Sequence, residues 1–439
     1  MRRVVGFIAT CTALVLVGGL LGGPAASAVS NPPLTLAVKA SEGASDLHLS
    51  ADGRFAVFTT AKRLVPADTN NYTDVYLRDL QTGETTLVSV GLTGPANAGS
   101  SGGIAISADD HHVAFGSDAS NLVSGDTNGQ QDVFVRDLTT RTTSLVSVHL
   151  DSATNGTYPS SAPVISADGR YIAFSSGASN LVPNDPHQPN VDVFLRDLGT
   201  GTTTQVTTTG RFPVGMYGYP GSHVSAITAD GRHVLFKSNG FELVPNYGGG
   251  VQDAYVWDRD TSMTRLVSLG NDGQSSRVRY ATQNGSRGTA TSADGRYVAF
   301  DSDAVNMVAN DTNNADDVFV RDLQTNTTTL VNAGPSGSPP PDGTSQSSSM
   351  SADGRYVAFM STSKLLGPTV PPTFACHIYQ RDLQTGTVSL VDVSAAGTVA
   401  NADSKYPSLS ADGHSVAFQS NATNLLSGSR PGDWLVKRN

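Results

Sequence analysis

The chain has 439 residues, with 45 Gly, 22 Pro, 15% charged and 38% apolar side chains and a formal net charge of −10. This low-charge composition excludes intrinsic disorder, and the absence of a Gly triplet period excludes a collagen-type rod. The acidic balance disfavours nucleic acid and anionic membrane surfaces as partners.

Arg2 and Arg3 precede an apolar run from Val4 to Leu21, and Ala26-Ser27-Ala28 follows as a small-x-small cleavage site. The pattern predicts a signal peptide over residues 1–28, and hence a soluble protein that is secreted, periplasmic or associated with the cell wall. Cys376 is then the sole cysteine of the mature chain, so no internal disulfide supports the exported fold.

Leu34-Thr35-Leu36-Ala37-Val38 reads as a first strand, after which a phrase of the form Ser-Ala-Asp-Gly-Arg-x-Val-Ala-Phe recurs to the end of the chain. It stands at Ser50 to Phe58, Ser107 to Phe115, Ser166 to Phe174, Thr228 to Phe236, Ser292 to Phe300, Ser351 to Phe359 and Ser410 to Phe418. The second copy carries Asp110 and His111 in place of Gly-Arg. A second phrase, Asp-Val-Phe-Val-Arg-Asp-Leu, follows the first six copies at Asp74, Asp132, Asp192, Asp253, Asp317 and, loosely, His377, and leads through turn residues into a Leu-Val-Ser-Val-like run.

Each unit of about 60 residues therefore predicts four antiparallel strands, a to d in chain order, and no helical period competes. Seven such units predict an all-β, seven-bladed β-propeller over residues 29–439. The seventh unit ends at Asp433 to Arg438, which aligns with strand c, so the strand at Leu34 to Val38 is expected to complete the last blade and close the ring.

The repeated residues have structural work to do. Asp-Gly supplies the turn between strands a and b, Val57 faces one neighbouring blade while Ala56 and Phe58 face the other, and pairs such as Arg78-Asp79 and Arg321-Asp322 are expected to bond turns or backbone. The two phrases resemble the WD40-like repeat of the TolB-type β-propellers, with the pattern Ser-x-Asp-Gly-Lys/Arg-x-Ile/Val-Ala-Phe followed by an Asp-Ile-Tyr-Val-x-Asp-Leu strand. The resemblance implies a propeller and brings no catalytic residue with it. The chain departs from the family at Ala51 and its equivalents, where Pro is frequent.

Gly99-Ser100-Ser101-Gly102-Gly103 matches a hydrolase nucleophile pattern without the strand-to-helix context that motif needs. Oxygen-rich b–c connections recur at Asp68, Asn70 and Asp74, at Asp126, Asn128 and Asp132, and at Asp311, Asn313 and Asp317. Two readings stay open there, a weak Ca²⁺ site and turn capping by Asp and Asn side chains. The b–c and d–a connections are long and share one face of the ring, the place for binding on a rigid scaffold. Its distinctive sector is the fourth unit, where Phe212, Tyr217, Tyr219, His223 and Tyr247 suit a protein or cell-envelope glycan.

The resulting expectation is an exported, monomeric binding protein without catalysis and without a required cofactor. Two alternatives stand beside it, a polysaccharide-acting enzyme of the oligogalacturonate lyase type and a calcium-stabilised structural propeller. The lyase would require a His/Arg/Lys or metal cluster near the central channel on the long-loop face.

Overall fold

In the computed structural model the described residues are 32–438, apart from 151–157, 184, 186–189, 209–220, 241–242, 246–251, 277–284, 310, 335–336, 341–342 and 365–374. The expected signal peptide, residues 1–28, lies outside them. Among the described residues seven four-stranded antiparallel sheets form, each in the strand order a, b, c, d. Blade 1 is Ser45–Leu49, Phe55–Thr60, Asp74–Asp79 and Thr85–Leu87. Blades 4 and 5 begin with the a and b strands Ser222–Ile227 and His233–Ser238, and Ser286–Thr291 and Tyr297–Ser302.

Blade 7 closes the ring as expected. Its outer strand is Leu34–Val38, paired antiparallel with Asp433–Arg438 in the register Leu34 with Lys437 and Leu36 with Leu435. The a strands pack against one another in order around the centre, and that of blade 7 packs against that of blade 1. Each b strand is apolar on both sides, so Val57, Ala56 and Phe58 are all fully buried. Phe58 stacks on Tyr76 of strand c at a centroid distance of 6.0 Å, and Phe115 with Phe134 and Phe300 with Phe319 repeat the pair. One aromatic from each phrase thus makes a blade's core, where such a pair contributes about 0.5–1.5 kcal/mol beyond its burial.

The polar residues of the phrases are equally occupied. Ser50 Oγ donates to Asp52 and accepts the N–H of Phe55, and Gly53 takes φ 67° to close the turn. In blade 2 the same left-handed position is held by Asp110 at φ 60°. Arg54 reaches Asp79 at 2.6 Å, and Arg170–Asp197, Arg232–Asp258, Arg296–Asp322 and Arg355–Asp382 repeat this tie between the two phrases. The Arg54 hydrogen bond holds the Asp79 carboxyl down at about 2. Arg78 turns instead to Glu42 and Thr85, and Arg321 to Thr328 and the carbonyl of Leu269.

The alanine of the first phrase explains the departure from proline. Its N–H donates to the turn alanine of the next blade: Ala167 to Ala229 (2.9 Å), Ala229 to Ala293 (3.1 Å), Ala293 to Ala352 (2.8 Å), Ala352 to Ala411 (2.8 Å) and Ala411 to Ala51 (2.8 Å). These bonds form a girdle on the short-turn face that runs across the blade 7 to blade 1 seam. Proline has no N–H to give. Ala352→Pro should leave the Ala411 carbonyl without its partner and lower stability by about 1–3 kcal/mol. Ala352→Ser, which keeps the N–H, should stay near wild type, as thermal unfolding will read.

Candidate functional site

Every a strand carries a β-bulge at the same level, between Ser45 and Leu47 in blade 1, Val224 and Ala226 in blade 4, Gly288 and Ala290 in blade 5, and Gln346 and Ser349 in blade 6. A bulge re-aims side chains and leaves backbone groups outside the ladder. Here the freed N–H groups are met from the neighbouring blade: Val224 N–H donates to Ser175 Oγ (3.0 Å) and Ser347 N–H to Asp301 Oδ2 (2.8 Å). The bulged strands enclose a central channel of about 800 Å³, walled mainly by Ala, Ile, Val and Ser. Its polar exceptions cluster at the blade 1 and 7 seam, where Asp46 lies 3.1 Å from His48 and Tyr406 stacks towards Trp434 at 6.5 Å.

A second group of titratable side chains gathers at the long-loop mouth, between blades 4 and 5. His223 stands second in its a strand and faces Lys237, next to last in the b strand, directly across the pair. Arg287 and Asp301 hold the same two places in blade 5. Arg287 makes an ion pair with Asp316 at 3.1 Å. Among the described residues Lys237 and His223 have neither a hydrogen-bond nor an ion-pair partner.

Burial, and then the charge of Arg287, pushes the Lys237 ammonium below its ordinary range. Burial, and then the charge of Lys237, does the same to the His223 imidazole. Asp301 is 3% exposed, its Oδ1 has no partner, and burial pushes its carboxyl up to about 7. Two nitrogen bases whose charged forms burial disfavours, one guanidinium fixed by an ion pair and one buried carboxyl thus share a rim.

Of the aromatic sector expected from sequence, only His223 can be placed, and it joins this cluster. Phe212, Tyr217, Tyr219 and Tyr247 lie outside the described residues. Lys237, Arg287, Asp301 and Asp316 were missed, although the repeats carry a signal for two of them. The b-strand position of Lys237 is Thr59, Gly116, Ser175, Lys237, Asp301, Met360 and Gln419 in blades 1 to 7. It is charged only in blades 4 and 5.

The oxygen-rich b–c connections lie on the same face. Asp68 Oδ1 accepts the N–H of Asn70 at 3.1 Å, and the side-chain oxygens of Asn70, Asn128 and Asn313 accept the N–H groups of Tyr72, Gln130 and Ala315. These are the turn caps of the second reading. Asp74, Asp132 and Asp317 sit below them, buried at the start of strand c, and accept from Ser89, Ser147 and Asn332, each two residues past the end of strand d. Among the described residues no group of three or more His, Cys, Asp or Glu side chains is arranged to hold a metal ion. Ser101 is the second residue of the a strand of blade 2, Ser100–Ile106, with no helix after it, and its Oγ accepts from Gln131.

No protein-family description matches the chain. No curated protein matches it either. Solved structures similar to it include an oligogalacturonate lyase in complex with manganese, at 17% identity over 93% of this chain and 97% of that one, with a TM-score of 0.51. The β-propeller domain of the Trilobed protease from Pyrococcus furiosus matches at 10% identity over 86% and 88%, also with a TM-score of 0.51. TolB from Acinetobacter baumannii matches at 17% identity over 89% and 81%, with a TM-score of 0.38. The shared property is the β-propeller fold.

One expectation is corrected here. The expectation of a protein without catalysis is not upheld, because the similar structures include oligogalacturonate lyases. The absence of a contiguous catalytic motif was no basis for excluding catalysis, because a propeller assembles such groups from separate blades. No helix among the described residues is long and apolar enough to cross a membrane.

The folded Asp301 carboxyl holds its proton to about pH 7, against 3.8 for an ordinary aspartate. The native state therefore binds more protons than the unfolded chain between these values, and stability falls as pH rises through that window. Asp301→Asn, which still accepts from Ser347, should shrink the drop in unfolding midpoint between pH 5 and pH 8. An unchanged drop would place the proton elsewhere.

Proposed function

We propose that the protein is an exported β-propeller that binds a protein or cell-envelope ligand at the long-loop mouth of its central channel, with an acidic group of that ligand held between blades 4 and 5. The observation that carries this reading is Lys237, a half-buried cation with no acidic partner among the described residues, set beside Arg287 in a chain of net charge −10. A buried charge is normally paired, so an unpaired one at a channel mouth leaves room for a ligand's anion. Arg287, steadied by Asp316, presents its remaining N–H groups to the same place. Export rests on the leader pattern at residues 1–28.

A second reading, cleavage of an acidic polysaccharide, is favoured by one observation. The His/Arg/Lys cluster that such an enzyme would require stands at the long-loop mouth as His223, Lys237 and Arg287. Elimination beside a uronate carboxylate needs a base to take the α-proton while the glycosidic oxygen departs with its electron pair. Lys237 or His223 could serve as that base, with Arg287 on the carboxylate.

Binding of oligogalacturonate, of a neutral oligosaccharide of equal length and of an acidic peptide, with uronide release followed in parallel, separates the readings. Lys237→Ala and Arg287→Ala should each weaken acidic-ligand binding about tenfold or more, which corresponds to about 1.4 kcal/mol. Binding that ignores both substitutions would overturn the assignment of this rim. Uronide release lost with Lys237→Ala or His223→Ala would support the catalytic reading.

A further inference from the structure

The b–c connections of blades 1, 2 and 5 look alike in sequence, yet their carboxylates are not equally satisfied. In blade 2 Asp132 is complete: Oδ1 accepts from Ser147 at 2.7 Å and Oδ2 from Asn128 Nδ2 at 2.7 Å, with His149 Nε2 3.7 Å from Oδ1. In blade 1 the Asn70 amide donates to the carbonyl of Ala96. Asp74, with no exposed surface, keeps Ser89 on Oδ1 and has no partner on Oδ2. In blade 5 Asn313 and Asn332 both donate to Asp317 Oδ1, and Oδ2 of this 1% exposed residue has no partner. Asp311 Oδ1 is unpartnered as well.

Asp74 and Asp317, each with an orphan oxygen, feel the charge of a second carboxylate. The charge of Asp68 bears on Asp74. The charges of Asp311 and Asp316 bear on Asp317. Buried carboxylate oxygens are nearly always hydrogen-bonded or bound to a cation, and two adjacent acids repel unless something positive stands between them. Blade 2 shows what satisfaction looks like in the same fold, where an amide and an imidazole occupy that place.

We infer that the b–c connections of blades 1 and 5, and not that of blade 2, are two sites for a hard divalent cation of the calcium type, anchored by Asp74 with Asp68 and by Asp317 with Asp311. Two carboxylates supply a minority of the six to eight oxygens calcium takes, and backbone carbonyls and water complete the set. Such sparse sites belong with the weak extracellular class, with dissociation constants of about 10⁻⁴–10⁻³ M. The inference stands apart from the rim between blades 4 and 5, since neither site includes Lys237 or Arg287.

The test is equilibrium dialysis of the chelated full chain against calcium, paired with thermal unfolding. Two ions per chain are expected, falling to one in Asp74→Asn or in Asp317→Asn and staying at two in Asp132→Asn. Saturation should raise the wild-type midpoint by about 2–4 °C, and magnesium at equal concentration should raise it less. The Asn variants keep an acceptor and lose a buried charge, so after chelation each should unfold no earlier than wild type, which guards against loss of fold. Zero bound ions at millimolar calcium, or a loss in Asp132→Asn equal to that in the other two, would overturn the inference and leave a shared proton as the partner of the orphan oxygens.

Discussion

The structure depends on one constraint: no blade can hide its own apolar surface. Because strand b is buried on both sides in every repeat, each sheet needs a neighbour on either side, and a row of such sheets is stable only when the last meets the first. Leu34–Val38 supplies that meeting by pairing with Asp433–Arg438. The alanine girdle then links neighbouring blades on the short-turn face, and the Arg–Asp ties join strands b and c within a blade. A rigid ring of this kind leaves the opposite face free to vary.

This division of labour explains why the most repetitive residues carry no chemistry. In the two phrases each side chain already has a task, whether turn closure, blade-to-blade bonding or core packing. Chemistry belongs where the repeats differ. Lys237 and Asp301 occupy a slot that is uncharged in the other five blades, and Asp301 does the backbone-capping work of Ser175 with a carboxyl. Blade 6 shows a difference without such consequence, because His377 and Asp392 exchange the usual acid and donor roles and still bond, at 2.9 Å, inside the core.

The fold was legible in the sequence because turn chemistry and a period-two apolar pattern recur seven times, and errors in one unit are corrected by six others. Even the closing strand at Leu34–Val38 could be read, since the last unit lacked its fourth strand. The site was legible only in part. His223 stood out as an aromatic in an unusual sector, but its neighbours Lys237 and Arg287 come from other strands, and only the register across two blades brings them together. Likewise, Asp-Thr-Asn loops announced oxygen ligands, whereas the difference between Asp74, Asp317 and Asp132 lies in where a single amide points, which sequence does not encode locally. The positions where blades 4 and 5 break the uncharged pattern were readable by aligning the repeats with one another.

The claim that most needs direct evidence is that ligands meet the protein at the long-loop mouth between blades 4 and 5. Hydrogen–deuterium exchange with and without a bound acidic oligosaccharide reads this over the whole chain. The account predicts that added protection is confined to Ser222–Ile227, the end of His233–Ser238 and the start of Ser286–Thr291, together with the connections beside them. Protection centred on the Ser-Ala-Asp-Gly turns of the opposite face, or on the blade 1 and 7 seam around Tyr406, would contradict it.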